Sequence, residues 1–262
     1  MITTDLMNLA LALLAAVASG LVGSIAIMRR MALAGDAFSH VALPGVGLAL
    51  AYSVNPMLGG AAALILGALI IWKVEKVTTL NVEAIIGVLF SISLAIGAIA
   101  IGEEHELIKM LFGGMRPAAP GEFIIGIMVA VFIIAFILYN RRALTLMLVS
   151  RELAKTAAIK TEKMQLLFLL VFALTVLLGM KFLGVLLTGS LIIIPASSAR
   201  NVAKNLHGML ALSSGAALIS MIAGLMAVRY LDLNLGPAAV IVAGILFVLT
   251  LIINLAGQKR FD

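Results

Sequence analysis

Nine apolar runs, each closed by a polar or charged break, follow one another along the chain: Leu6 to Met28, Ala37 to Tyr52, Pro56 to Trp72, Val82 to Ile101, Phe123 to Leu138, Leu166 to Met180, Phe182 to Ser197, Met209 to Val228 and Pro237 to Leu255. A bilayer core asks for about 20 apolar residues per helix, somewhat fewer where flanking side chains reach out to the headgroups. The pattern therefore predicts an all-α, polytopic transmembrane helical bundle of about nine spans, eight being the alternative count, with residues 1–262 as a single domain. The second, sixth and seventh runs are short, and short spans interrupted by Gly or Pro are where irregular backbone lines a cavity. The longest polar stretches, Gly102 to Glu122 and Asn140 to Gln165, read as loops with short helices.

Composition agrees with a membrane chain. Of the residues, 63% are hydrophobic and 11% charged, and mean hydropathy is +1.22, too little polar material to cover a soluble core. A net charge of +6 does not imply nucleic acid here, because the basic residues sit between apolar runs, where positive charge orients helices. With the amino terminus outside, the inner side collects Arg29, Arg30, Lys73, Lys76, Arg141, Arg142, Arg151, Lys155, Lys160, Lys163, Arg200, Lys204, Lys259 and Arg260, 14 of the 18 Lys and Arg residues. Only Lys109, Arg116, Lys181 and Arg229 remain outside. The predicted location is therefore the cytoplasmic (inner) cell membrane, multi-pass, with the carboxyl terminus inside. No basic stretch precedes the first run, which reads as a retained span rather than a signal peptide. Cysteine is absent, leaving neither a disulfide framework nor a thiolate metal site.

Small residues four apart, Gly20 and Ser24 in the first run and Gly87, Ser91 and Ala95 in the fourth, make faces on which helix backbones approach closely. Packing inside one bundle explains them without a dedicated dimer motif.

Chemistry concentrates in Gly35 to Gly45, "GDAFSHVALPG". On a helix, Asp36 and His40 share a face and can offer a carboxylate oxygen and an imidazole nitrogen to one divalent ion. If Arg30 marks the inner interface and the segment is helical throughout, Asp36 lies about 9 Å and His40 about 15 Å inward. Ionisable groups at that depth cost several kcal/mol unless paired or hydrated. The competing reading makes Asp36 the cap of the second helix and satisfies His40 with a backbone carbonyl.

Other polar groups carry less. Glu103, Glu104 and His105 form a cluster suited to attracting cations at an outer mouth, or simply a solvated loop; Lys109 stands where a zincin would need its second histidine. His207 falls near the inner interface. The seventh run, "FLGVLLTGSLIIIPASSAR", holds Thr188 and Ser190 before Pro195, and proline frees backbone carbonyls that hydroxyls or a passing ion can satisfy. A packed kink is the alternative.

No G-x-x-x-x-G-K-[ST] nucleotide loop occurs, so a pump built on this chain takes its ATPase from another subunit. Ser150 to Lys163, "SRELAKTAAIKTEK", is a short charged helical candidate for the grip on that ATPase, with Arg151, Glu152 and Lys155 as polar contacts and Leu153 and Ala154 as groove-entering ones. A helix lying among the headgroups is the plainer reading.

Four stretches in order resemble one family, the integral-membrane permease subunits of manganese/zinc/iron ABC importers: "RRMALAGDAFSHVALPGVGLALAY", "EAIIGVLFSISLAIG", "MLFGG" and "FLGVLLTGSLIIIPASSAR". The resemblance implies a type II ABC importer-like fold without a nucleotide site or enzymatic activity of its own. It places Asp36 and His40 where the transported divalent metal (Zn, Mn or Fe) is held, and Ser150 to Lys163 where the ATPase docks. It also implies a second permease copy as homodimer partner, a separate ATPase subunit that uses the ATP, and an extracytoplasmic metal-binding protein. No permanently bound cofactor is implied, and membrane lipid is the surrounding partner. The segment Met115 to Glu122, "MRPAAPGE", departs from the family pattern.

Two rival classes are weaker. An ion-coupled secondary metal-cation transporter, with Asp36 and His40 relaying protons, predicts internal repeats that the chain does not display. An intramembrane enzyme needs a convergent nucleophile and base, or a full ligand set, from three histidines and no cysteine.

Overall fold

The computed structural model describes residues 2–100, 120–231 and 233–258, and every regular element among them is helical. In chain order these are α1 (Ile2–Met28), α2 (Ala34–Ala51), α3 (Pro56–Val77), α4 (Val82–Ala100), α5 (Pro120–Val149), the short α6 (Arg151–Thr156), α7 (Thr161–Val202), α8 (Leu206–Leu231) and α9 (Leu235–Gln258).

Among the described residues, seven helices are long and apolar enough to cross a membrane: Met7–Met28, Pro56–Val77, Val82–Ile99, Gly121–Val149, Thr161–Val185, Leu206–Leu231 and Leu235–Ala256. The second and seventh predicted spans fall outside this set: Asp36, His40 and Pro44 dilute the first, and the stretch of α7 after Val185 is short, ending at Val202. The predicted loop Asn140 to Gln165 is mostly helix. Arg141 and Arg142 end the apolar run without breaking α5, which continues through "ALTLMLV", a stretch with no Gly or Pro.

The sixth and seventh predicted spans are joined in α7 with no loop between them. Gly184 has φ 77 and ψ 175, a conformation reserved for glycine, and two helical arms meet there. A straight helix of this length would span about 63 Å. Instead, Arg29 at the end of α1 meets both Gln165 at 3.3 Å and the Phe168 ring at 4.9 Å on the first arm, while nearby Ile27 shares a cluster with Ala196 on the second. A Cβ on Gly179 would lie 2.5 Å from Thr188 Cγ2, so the arms fold back on each other.

The core is built on α1 and the first arm of α7, whose apolar windows are 78% and 61% buried against 17–28% for the other five. Phe38, Phe168, Phe172 and Phe182 are fully buried, with Phe38 and Phe172 centroids 5.1 Å apart. The α1 stripe packs as expected: Ser213 Oγ donates to the Gly20 carbonyl at 2.7 Å, and Ser24 Oγ reaches the Met209 carbonyl at 3.3 Å across α8. The α4 stripe does not. Gly87, Ser91 and Ala95 are exposed, and a Cβ on Gly87 would meet nothing within 4 Å, so this face lies outside the single-chain bundle.

Candidate metal-transit site and coupling segment

The site begins where α1 stops. Arg30 takes a left-handed φ of 58, and Met31 N–H reaches back to the Ala26 carbonyl at 2.9 Å, closing α1 without a glycine. The chain turns before α2 starts, so the depths computed for an unbroken helix from Arg30 do not apply. Leu33 occupies the N-cap with no side-chain cap bond, and Asp36 lies in the first turn. The capping reading of Asp36 is thereby overturned. Its carboxylate complements the helix dipole without closing the end.

His40 Nδ1 lies 2.8 Å from the Asp36 carbonyl oxygen. A carbonyl can only accept, so Nδ1 carries the hydrogen and Nε2 is the nitrogen left to act as a ligand. The carbonyl contact and the ligand role are therefore compatible: the first fixes the tautomer that the second needs. The ring stands edge-on to Phe90 of α4. Pro44, one turn on, supplies no N–H to the His40 carbonyl, which leaves another oxygen acceptor beside the pair. Asp36 is exposed and His40 half-buried. Among the described residues no group of three or more His, Cys, Asp or Glu forms a metal cluster, so of these side-chain types the pair brings one carboxylate and one imidazole.

The two glycine-bearing segments meet here. A Cβ on Gly35 would lie 2.9 Å from the Gly189 carbonyl oxygen, bringing the second arm of α7 against the first turn of α2. Thr188 is buried and gives its hydroxyl to the Gly184 carbonyl at 2.6 Å, Ser190 is half-buried next to Gly189, and Pro195 lies further along the same arm. The sequence pattern did not pair these segments. The only signal was a glycine in each.

The candidate coupling segment is compact. Ser150 caps α6, its Oγ accepting from the N–H groups of Glu152 and Leu153 at 3.2 and 3.3 Å. Ala158 closes it with φ 58. Glu152, Leu153 and Lys155 are exposed, but Ala154 is fully buried within the chain, so Leu153 is the apolar group facing outward. An open cavity of about 160 Å³ adjoins the segment, lined by Trp72, Glu75, Lys76, Lys155, Thr161, Glu162 and Gln165. There Lys76 pairs with Glu162 at 2.7 Å, and Gln165 bridges Arg29 and Glu75. That bridge was invisible to pattern reading. Glu103, Glu104 and His105 lie outside the described residues, as does Met115 to Ala119 of the departing segment, while Glu122 pairs with Lys181 at 3.0 Å. His207 Nδ1 lies 3.3 Å from an Arg141 guanidinium nitrogen.

Comparison with known proteins adds a second line. A family model described as the ABC 3 transport family matches residues 3–254. The chain is 33% identical over 235 residues to the high-affinity zinc uptake system membrane protein ZnuB of Haemophilus influenzae, covering 87% of this chain and 89% of that protein. It is 28% identical to the manganese import system permease protein ScaB of Streptococcus parasanguinis, covering 93% and 88%. Among solved structures, PsaBC from Streptococcus pneumoniae in complex with Fab is similar, with a TM-score of 0.80, 27% identity and coverage of 93% of this chain and 89% of that one.

Proposed function

The chain belongs to the ABC 3 transport family, and from that membership we propose that it is the transmembrane permease subunit of an ABC importer for a divalent transition metal. Zinc, manganese and iron all suit a carboxylate and imidazole pair, and the relatives named for zinc and for manganese support this class of cargo. The observation that carries the reading is the pairing of an Asp36 carboxylate with a tautomer-fixed His40, one helical turn apart. The pair holds the ion in transit. Separate ATPase subunits use the ATP, gripping Ser150 to Lys163, and their closure shifts exposure of the site by alternating access. A second permease copy and an extracytoplasmic metal-binding protein complete the assembly.

The proposed topology is a type II importer-like bundle of nine crossing segments in the cell membrane, the amino terminus outside, with α2 and the second arm of α7 added to the seven apolar helices. Contacts between side chains assigned to one side support it. Lys76 with Glu162, Arg29 with Gln165 and Arg141 with His207 join residues placed inside, and Lys181 with Glu122 joins residues placed outside.

Purified permease with its ATPase, reconstituted in liposomes, tests the site. Asp36→Asn and His40→Ala are each expected to abolish metal uptake while the ATPase stays bound. Near-normal uptake in both variants would remove the assignment.

A further inference from the structure

We propose that Gly189 is a positioning residue for the Asp36 carboxylate, its missing side chain leaving the space in which that carboxylate lies. The inference rests on the reading of Asp36 and His40 as the pair that holds the metal.

A methyl group at Gly189 would overlap Asp36 Oδ1 and would stand 2.5 Å from both the Asp36 backbone nitrogen and the Gly35 carbonyl carbon. Real Cβ atoms do not approach backbone so closely. The contact is reciprocal: a Cβ on Gly35 would lie 3.0 Å from Gly189 Cα and 3.0 Å from Ile193 Cγ1. Two backbones therefore touch at this point, and the carboxylate rests against the second.

Both backbones are held. On α2, Ser39 Oγ donates to the Gly35 carbonyl at 2.9 Å and His40 Nδ1–H to the Asp36 carbonyl at 2.8 Å. On α7, the buried Thr188 hydroxyl is tied to Gly184, where the arm begins. The remaining freedom belongs to the Asp36 side chain, and the flat surface at Gly189 closes one side of its swing. His40 is limited separately by Phe90 of α4, at 5.0 Å between centroids. The separation of oxygen and nitrogen ligands is thus set by α7 on one side and α4 on the other. Metal ligation requires bond lengths of about 2.0–2.2 Å and loses function when ligands shift by about 1 Å.

Binding of zinc ion alone and manganese ion alone to the purified permease–ATPase complex in nanodiscs decides the matter. Gly189→Ala displaces the carboxylate from the arm, and Asp36→Glu pushes a longer one past it. Both are expected to raise the metal Kd at least tenfold, with a matching rise in the KM of uptake. Two controls separate positioning from packing. Gly45 of α2 is pressed against α3, where a Cβ would lie 2.7 Å from Ala63 Cβ, and Gly87 faces open space. In the assembled fraction, Gly45→Ala and Gly87→Ala are expected to bind metal within twofold of wild type.

Wild-type binding by Gly189→Ala overturns the proposal, as does an equal loss in Gly45→Ala, which would make the effect one of helix packing. If Gly189→Ala does not assemble, Asp36→Glu decides, and wild-type affinity there overturns it. Normal uptake by Asp36→Asn would instead remove the underlying site; an inactive Asp36→Asn beside a normal Gly189→Ala defeats this inference alone.

Discussion

The His40 ring stands edge-on to Phe90, with centroids 5.0 Å apart and planes at 77°. It ties α2 to α4 at the proposed ligand. Aromatic pairs of this geometry contribute about 0.5–1.5 kcal/mol beyond burial, or about two- to tenfold in an equilibrium constant. Phe90→Leu keeps the apolar volume but not the ring edge, and is expected to raise the KM of uptake by that factor at unchanged maximal rate. Uptake measured against metal concentration in liposomes checks it. A lowered maximal rate at constant KM would place Phe90 in the conformational cycle rather than at the site.

The six-residue α6 depends on its cap. Removing the Ser150 hydroxyl costs about 1 kcal/mol, more than so short a helix can absorb. Ser150→Ala is expected to lower the metal moved per ATP hydrolysed, and Leu153→Asp, at a side chain 53% exposed, to release the ATPase from the purified complex. Ala158→Gly relieves a left-handed residue and should leave coupling intact or improve it. Retention of the ATPase by Leu153→Asp, with crosslinks to Arg200 to His207 instead, would move the docking surface there.

Polar contacts near the proposed coupling segment differ in weight. Gln165 is 7% exposed and bridges the half-buried Arg29 and Glu75, so Gln165→Leu leaves each short of one partner at a cost of about 1–3 kcal/mol. The Lys76–Glu162 pair has side chains 50% and 61% exposed, so solvent screens it and it adds little. Thermal unfolding of the purified complex should therefore show a clear drop for Gln165→Leu and almost none for Lys76→Met. The reverse order would contradict the burial argument.

Because the chain has no cysteine, single cysteines report topology without background. Ser53, between α2 and α3, and Thr156, at the end of α6, are both exposed. An impermeant maleimide on intact cells is expected to label Ser53→Cys and not Thr156→Cys. Labelling of position 156 alone would reverse the orientation. Protection of both would mean that α2 turns back without crossing.

Local features were legible in the sequence, and distant ones were not. Asp36 and His40 could be paired because one helical turn separates them, and α1, α4 and α8 stand near their predicted limits. The reversal in α7 was expected at Lys181 but occurs at Gly184, since a single glycine at positive φ turns the chain without any polar break. Arg141 and Arg142 marked the end of an apolar run, which is not the end of a helix. The contact of Gly189 with Asp36 and the Gln165 bridge join residues far apart in sequence. Periodicity carries no information about which helices become neighbours.

The two segments outside the set of seven, α2 and the second arm of α7, hold Asp36, His40 and Gly189. α2 carries two ionisable groups and the second arm is short, so in the proposed topology both depend on α1, α3, α4 and the first arm for surfaces to receive them. The consequence concerns biogenesis. If Asp36 and His40 hold the metal as proposed, a half-inserted subunit lacks the Gly189 surface beside them, and newly made protein is expected to hold metal only once the bundle is complete.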